Sequence, residues 1–283
     1  MKIGAVAFFT VESMRPGPLA RALEERGFES LWVPEHTHIP SSRRSSYPAS
    51  GGLVQAYYAL MDPFLALNSA AAATTRLRIG TGIALVVQRD PIVTAKLVST
   101  IDQLSDGRFL FGVGNGWNQD EIENHGTAFK TRHKLARERI EAMKAIWTEE
   151  EPAYHGEFVA FDKMKQWPKP RQKPHPPIIV GGAFPHAARR AVRYGDGWIP
   201  RDDWLERDGL GVIDEFHRMA IDAGRDPKSL PITLFRVPDD IERLRLYETI
   251  GIDRVVFSLP AAREEEIIPI LDHWAGLQRQ LAG

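Results

Sequence analysis

The sequence predicts a (β/α)8 barrel of the α/β class. Eight short apolar runs, rich in branched and aromatic residues, recur along the 283 residues. Most are nearly continuous rather than alternating, as strands covered on both faces of a parallel sheet are. Segments with helical spacing fall between them. Strands and helices alternating in that number suggest closure into a barrel, with an open doubly wound sheet as the structural alternative.

The first run, Lys2–Phe9, turns apolar almost at once. It is too short for a signal-peptide core or a membrane span, and reads as a buried strand. Ser30–Pro34, Leu77–Val87, Arg108–Val113, Pro177–Val180, Gly197–Pro200, Ile232–Val237 and Arg254–Leu259 complete the eight. Asp62-Pro63 and Asp90-Pro91 are helix starts, because aspartate caps free N–H groups and proline fits the first turn. Ala66–Ala73 reads as a packed helix. Val93, Leu97, Ile101 and Leu104 hold one helical face, closed by Ser105-Asp106-Gly107. Ala136, Ile140, Met143 and Trp147 form another face, as do Ile267, Leu271, Trp274 and Leu277.

Composition narrows the function. With 36 Lys+Arg against 37 Asp+Glu, the net charge of -1 gives no electrostatic case for nucleic acid or an anionic membrane. The absence of cysteine excludes disulfides, thiolate-zinc sites and a cysteine nucleophile, and fits a cytoplasmic location. One domain over 1–283 is expected. Two segments break its rhythm. Residues 36–60 are polar and are a candidate lid; residues 149–176, with five prolines, are an insertion before the fifth strand.

In such barrels the working groups stand at the C-terminal ends of strands. Glu35-His36 ends the second. A histidine there can donate a proton or a hydrogen bond, although a lone loop histidine is usually just solvated. His36 and His38 make a His-x-His pair, but no carboxylate follows at a convincing spacing, so no metal site is expected. Gly112, Gly114 and Gly116 alternate with bulkier residues, and on one strand face they would let a flat ligand lie on the backbone; Asn115 between them points elsewhere. Gly181-Gly182-Ala183 opens a strand-to-helix turn suited to an anion, a phosphate among them. Arg201 follows the sixth strand. Trp32, Trp117 and Trp198 are either core aromatics or ligand stackers. No Walker loop, H-E-x-x-H or G-x-S-x-G is present. A site rich in glycine and poor in paired acids suits an organic cofactor that brings its own chemistry.

These segments together resemble the bacterial luciferase-like oxidoreductases, and within them the group that uses the deazaflavin coenzyme F420. The resemblance rests on Trp32–His36, Arg76–Ile83, Leu104–Trp117, Pro168–Gly182 and Gly195–Trp198, in that order and spacing. It implies a barrel with an insertion, a homodimer, and a flavin or deazaflavin across the strand ends. His36, with Glu35, matches an acid–histidine pair near the reactive ring, and His36 and Asn115 are the candidate catalytic residues. Ala84 and Leu85 match a strand bulge where relatives carry a non-proline cis peptide behind the ring. Gly181, Gly182 and Ala183 match the phosphate-binding turn, and Gly114 and Asn115 border the ring. Asn115 offers hydrogen bonds but no acid, which argues against the sugar-phosphate oxidation that one branch performs with a glutamate. The expected activity is hydride transfer between F420 and a small organic substrate. The alternatives are an FMN-dependent monooxygenase of the same superfamily, a non-catalytic flavin-binding protein, and a hydrolytic barrel using Glu35 and Asp202.

Overall fold

The computed structural model describes residues 1–42, 44–47 and 52–282. Eight parallel strands form its centre: β1 (Lys2–Val6), β2 (Ser30–Val33), β3 (Arg78–Thr81), β5 (Phe109–Gly114), β8 (Ile178–Gly181), β9 (Gly197–Ile199), β10 (Thr233–Phe235) and β11 (Arg254–Ser258). The short strand β4 (Ala84–Leu85) pairs with the end of β5, and β6 (Tyr154–His155) and β7 (Ala160–Phe161) make a separate hairpin. The hydrogen-bonded order is β10-β11-β1-β2-β3-β5-β8-β9. Parallel bridges Trp198–Ile232 and Arg201–Phe235 join its two ends, so the sheet closes on itself. Each of the eight apolar runs supplies one barrel strand.

The outer ring is built from helices α1 (Pro16–Glu25), α2 (Pro63–Ala72), α3 (Pro91–Leu104), α5 (Arg132–Thr148), α6 (His186–Tyr194), α8 (Val212–Asp222), α9 (Ile241–Thr249) and α10 (Glu264–Ala282). Short helices α4 (Gln119–Asn124) and α7 (Asp202–Asp208) lie just after strand ends. The caps follow the sequence chemistry. The Asp62 carboxylate accepts the amides of Phe64 and Leu65, and Asp90 accepts that of Val93. The phase of α3 departs from expectation. Val93 and Leu104 are exposed, while Thr94, Ala95, Val98, Ser99 and Ile101 face the barrel. Small residues let this helix approach the sheet closely, and a purely apolar tally misses them.

Two cores result. The larger lies between strands and helices. The smaller fills the barrel interior: Val6, Trp32, Leu110, Ile179, Ile199, Phe235 and Val256, with Ile83 packed on them. Seven of the eight strands send a side chain into this interior, and β3 leaves room there with Gly80 against Trp32, so most runs read as unbroken apolar stretches.

The insertion at 149–176 is strapped to the flank. The Glu138 carboxylate accepts the amides of Glu157, Phe158 and Val159, and Lys169 Nζ donates to the Ile146 carbonyl at 2.6 Å. The described part of 36–60 instead crosses the strand ends. Arg44 pairs with Asp120 and Glu123 of α4, and Tyr47 and Tyr57 reach Arg236 beyond β10. The rest of that candidate lid, Arg43 and residues 48–51, lies outside the described residues.

Candidate active site

The strand ends enclose a cavity of about 290 Å3, close to the lower end of the ~300–1,000 Å3 usual for small-molecule sites. Glu35 and His36 line it from β2, Ile83 and Leu85 from around β4, Gly114–Trp117 from β5, Gly181 and Gly182 from β8, Arg201 from β9, and Phe235 and Arg236 from β10. Ile199 and Phe235 join this cavity to the interior core beneath it.

Most of the expected site residues meet here. Ala84 and Ala183 do not. Ala84 is fully buried in the outer core, and the residues that reach the cavity from the bulge are Ile83 and the expected Leu85. The non-proline cis peptide joins Gly82 to Ile83, two positions before the expected Ala84-Leu85. It divides the run Leu77–Val87 into β3 and β4.

Ile83 also corrects the role of the glycines. A Cβ on Gly112 would strike the Thr81 carbonyl oxygen, and one on Gly114 would strike Ile83 Cδ1. On Gly181 it would lie 2.9 Å from Ile83 Cγ2. The glycines therefore make room for a neighbouring strand and for Ile83. A flat ligand would lie on the Ile83 side chain rather than on bare backbone. Gly116 has left the strand, with φ of 70°.

Glu35 and His36 diverge, as adjacent residues of an extended chain must. Glu35 is buried. Its Oε2 accepts the Leu85 amide at 2.6 Å, its Oε1 accepts Arg89 Nε at 2.6 Å, and Arg89 continues to Asp62 at 3.0 Å. It is thus a brace that ties β2 to the bulge. His36 Nδ1 lies 2.6 Å from Oε2 of Glu121, a residue only 1% exposed, whose Oε1 accepts the Thr37 amide. The imidazole is held edge-to-face between Tyr57 and Trp117, at ring distances of 5.0 and 5.8 Å. With Nδ1 committed to the carboxylate, Nε2 is the nitrogen left for chemistry. His38 turns to Thr37 and Asn124 instead, so the His-x-His rings do not converge.

Asn115 Nδ2 lies 2.6 Å from Nδ1 of His133, the second residue of α5. Burial first, then the charges of Arg132, Arg190 and His186, push His133 down to about 4. The ring is therefore neutral near neutral pH. It accepts from the amide at Nδ1 and keeps its proton on Nε2, while the Asn115 oxygen stays available as an acceptor.

The β8 turn is less of an anion cradle than its composition suggests. The Gly182 amide donates to the Ile199 carbonyl at 3.1 Å and the Ala187 amide to the Ala183 carbonyl at 3.0 Å. The positive charge comes from Arg190 of α6. It lines the cavity, its Nη2 lies 3.3 Å from where a Gly182 Cβ would be, and its buried Nε has no hydrogen-bond partner among the described residues. Arg201 is occupied by Asp203 through two bonds of 2.9 and 2.6 Å. Trp32 and Trp198 are core residues, whereas Trp117 lines the cavity. Asp202 is held by Tyr247 and Arg243 and is not among the lining residues, so no two-carboxylate pair with Glu35 is assembled.

Residues 15–238 match the family model described as luciferase-like monooxygenase. The chain belongs to this luciferase-like family. A protein of uncharacterised function from Mycobacterium tuberculosis is 40% identical over 272 residues, 92% of each chain. An FMNH2-dependent dimethylsulfone monooxygenase from Pseudomonas putida is 34% identical over 138 residues, 48% of this chain and 38% of that one. Among solved structures, monooxygenase RslO1 from Streptomyces bottropensis has a TM-score of 0.81 at 20% identity, covering 100% of both chains. An F420-dependent secondary alcohol dehydrogenase has a TM-score of 0.74 at 18% identity, covering 98% of this chain and 97% of that one. An F420-dependent hydroxymycolic acid dehydrogenase from Mycobacterium tuberculosis is 26% identical over 238 residues, 83% of this chain and 59% of that one, so the relatives of this luciferase-like chain include both F420-dependent and FMNH2-dependent proteins.

Sequence reasoning missed Glu121, His133, Arg190, Arg236, Tyr47 and Tyr57. Arg236 is hidden as one charge in the apolar run Ile232–Val237, and the others lie in stretches that read as solvent-facing. One usable signal was Glu121, in the first turn of a short helix that follows a glycine-rich strand end.

Proposed function

We propose that this luciferase-like chain is a coenzyme F420-dependent oxidoreductase that moves a hydride between the deazaflavin and a small organic substrate. The observation that carries this is the chemistry of the cavity wall. Its one lining carboxylate among the described residues, Glu35, is spent on Arg89 and Leu85. What remains can hold protons and make hydrogen bonds, but has no nucleophile and no redox group, so electron transfer calls for a bound organic cofactor.

The residues fit such a group. Ile83 offers an apolar shelf backed by Gly114 and Gly181. Arg190 Nε, buried without a partner among the described residues, suits the cofactor's phosphate. A deazaflavin bound there supplies the hydride. His36, oriented by Glu121, takes the substrate's proton at Nε2 in the oxidative direction and, once doubly protonated, returns it from Nε2 in the reductive one; Asn115 positions the substrate by hydrogen bonds alone. Tyr47 and Tyr57, from the described part of segment 36–60, cover one side of the cavity against water. Proximity and orientation then supply much of the rate.

The second reading is an FMN-dependent monooxygenase, favoured by the FMNH2-dependent relative. Titrating the purified protein with F420 and with FMN, followed by fluorescence quenching, separates the two. Saturable F420 binding together with F420 turnover supports the proposal. Tight FMN binding with no response to F420 overturns it. Binding without turnover over a broad alcohol, ketone and enone panel would make the chain a binding protein.

A further inference from the structure

We infer that Arg236 anchors an anionic group, a carboxylate, on the organic substrate. The inference rests on the proposed reading of the cavity and adds the substrate class to it.

Arg236 and Phe235 are consecutive, yet both line the cavity. In a regular strand they would face opposite sides. The backbone explains how they share one. Arg236 has a φ of 61°, and its amide and that of Val237 both point to the Val256 carbonyl, at 2.9 and 3.4 Å. Two residues thus oppose one, a bulge that re-aims a side chain. A left-handed non-glycine residue is costly, and such outliers concentrate where a site needs a group placed.

The guanidinium is then fixed. Nη2 donates to Tyr47 Oη at 2.8 Å and Tyr57 Oη at 3.0 Å, and the two phenol oxygens are 3.1 Å apart. These partners orient the arginine without neutralising it. The neighbouring acids are engaged elsewhere: Glu35 with Arg89, and Asp203 with Arg201. Among the described residues Arg236 has no carboxylate partner, and Arg43 and residues 48–51 contain no acid. A partly buried charge without a counter-ion is expensive unless a ligand supplies one. The planar fork of arginine matches a carboxylate. Trp117, packed edge-to-face on Tyr47 at 5.3 Å, gives the same corner an apolar wall for the acid's organic part.

Arg190 is the other cavity arginine without a carboxylate, and it belongs to a different wall, on α6 beside Gly182. The division of labour is therefore Arg190 for the cofactor's phosphate and Arg236 for the substrate's acid.

The test uses benzoate and its neutral isostere benzamide as probes. Quenching of tryptophan fluorescence is read with and without F420, in the wild type and in Arg236→Met, Arg236→Lys and Arg190→Met. The wild type is expected to bind benzoate saturably and roughly tenfold or more tighter than benzamide. Arg236→Met abolishes that preference and leaves F420 affinity within about twofold. Arg236→Lys retains part of it. Arg190→Met weakens F420 and spares benzoate. A merely structural Arg236 would lose benzoate and benzamide alike, which overturns the inference. So would a wild type that prefers neither probe, or an Arg236→Met variant that loses F420 but keeps the benzoate preference. Failure of the wild type to bind F420 would overturn the cofactor reading, while the benzoate preference measured without cofactor would still stand or fall alone.

Discussion

His36 Nδ1 and Glu121 Oε2 lie 2.6 Å apart although 85 positions separate them in the chain. One end of this contact follows β2, and the other is in α4, just beyond β5. The carboxylate is buried, so it fixes the ring in one orientation. Glu121→Gln keeps the size and removes the charge. Turnover should fall by roughly 10- to 100-fold while the cofactor dissociation constant stays within about twofold. In the wild type, the neutral His36 ring should carry its proton on Nδ1, visible in its nitrogen chemical shifts; the variant should show a mixture. A variant with unchanged turnover and tautomer would remove Glu121 from the site.

Glu35 has a different task. It braces the bulge through Leu85 and Arg89, and both groups lose a buried partner if it is replaced. Glu35→Gln should cost about 2 kcal/mol of stability, because it leaves Arg89 with only the more exposed Asp62 as counter-charge. Urea unfolding checks this. A midpoint unchanged from the wild type would contradict the brace.

Gly112 and Gly114 look alike in sequence and should respond differently. On Gly112 an added methyl meets backbone, the Thr81 carbonyl, which cannot swing away. On Gly114 it meets the tip of Ile83, which can turn into the cavity. Gly112→Ala should cost about 3 kcal/mol or more, and Gly114→Ala nearer 1 kcal/mol. Gly114→Ala should instead weaken F420 binding, since Ile83 would intrude on the cofactor's shelf. Thermal melts and cofactor titrations on the two variants read both effects.

Acid should destabilise the protein in two windows. Burial, with the charges of Arg132, Arg190 and His186, lowers His133 from 6.5 to about 4. The unfolded chain then binds the proton more readily, so stability falls as pH drops from 6.5 towards about 4. Burial pushes the Glu29 carboxyl up, but the fork of Arg254, at 2.7 Å on both oxygens, outweighs it and holds the group below its usual 4.5. Its contribution is present above 4.5 and is lost as pH falls through the lowered folded value. His133→Gln should flatten the urea midpoint in the upper window, and Glu29→Gln in the lower one. Parallel curves for wild type and variants would show that neither group carries the pH dependence.

Much of the barrel was legible in the chain because its cause is local. Strands buried on two faces need apolar residues at every position, and the helix starts at Asp62-Pro63 and Asp90-Pro91 cap their own first turns. The site was legible only where it coincides with a strand end: Glu35-His36, Gly114-Asn115 and Gly181-Gly182. Ala84 was the wrong member of its bulge, since the register across the Gly82-Ile83 bond sends Ile83 to the cavity and Ala84 to the outer core.

The eight strands, their helical partners and the family resemblance can be read from the chain, because periodicity and capping act within a few residues of chain. Tertiary structure alone decided who meets whom at the mouth. Closing the barrel brings Glu121 to His36, His133 to Asn115, and Tyr47 and Tyr57 to Arg236. These partners sit in polar helices and loops whose local pattern is that of a solvated surface. Only barrel closure brings them together as oriented groups.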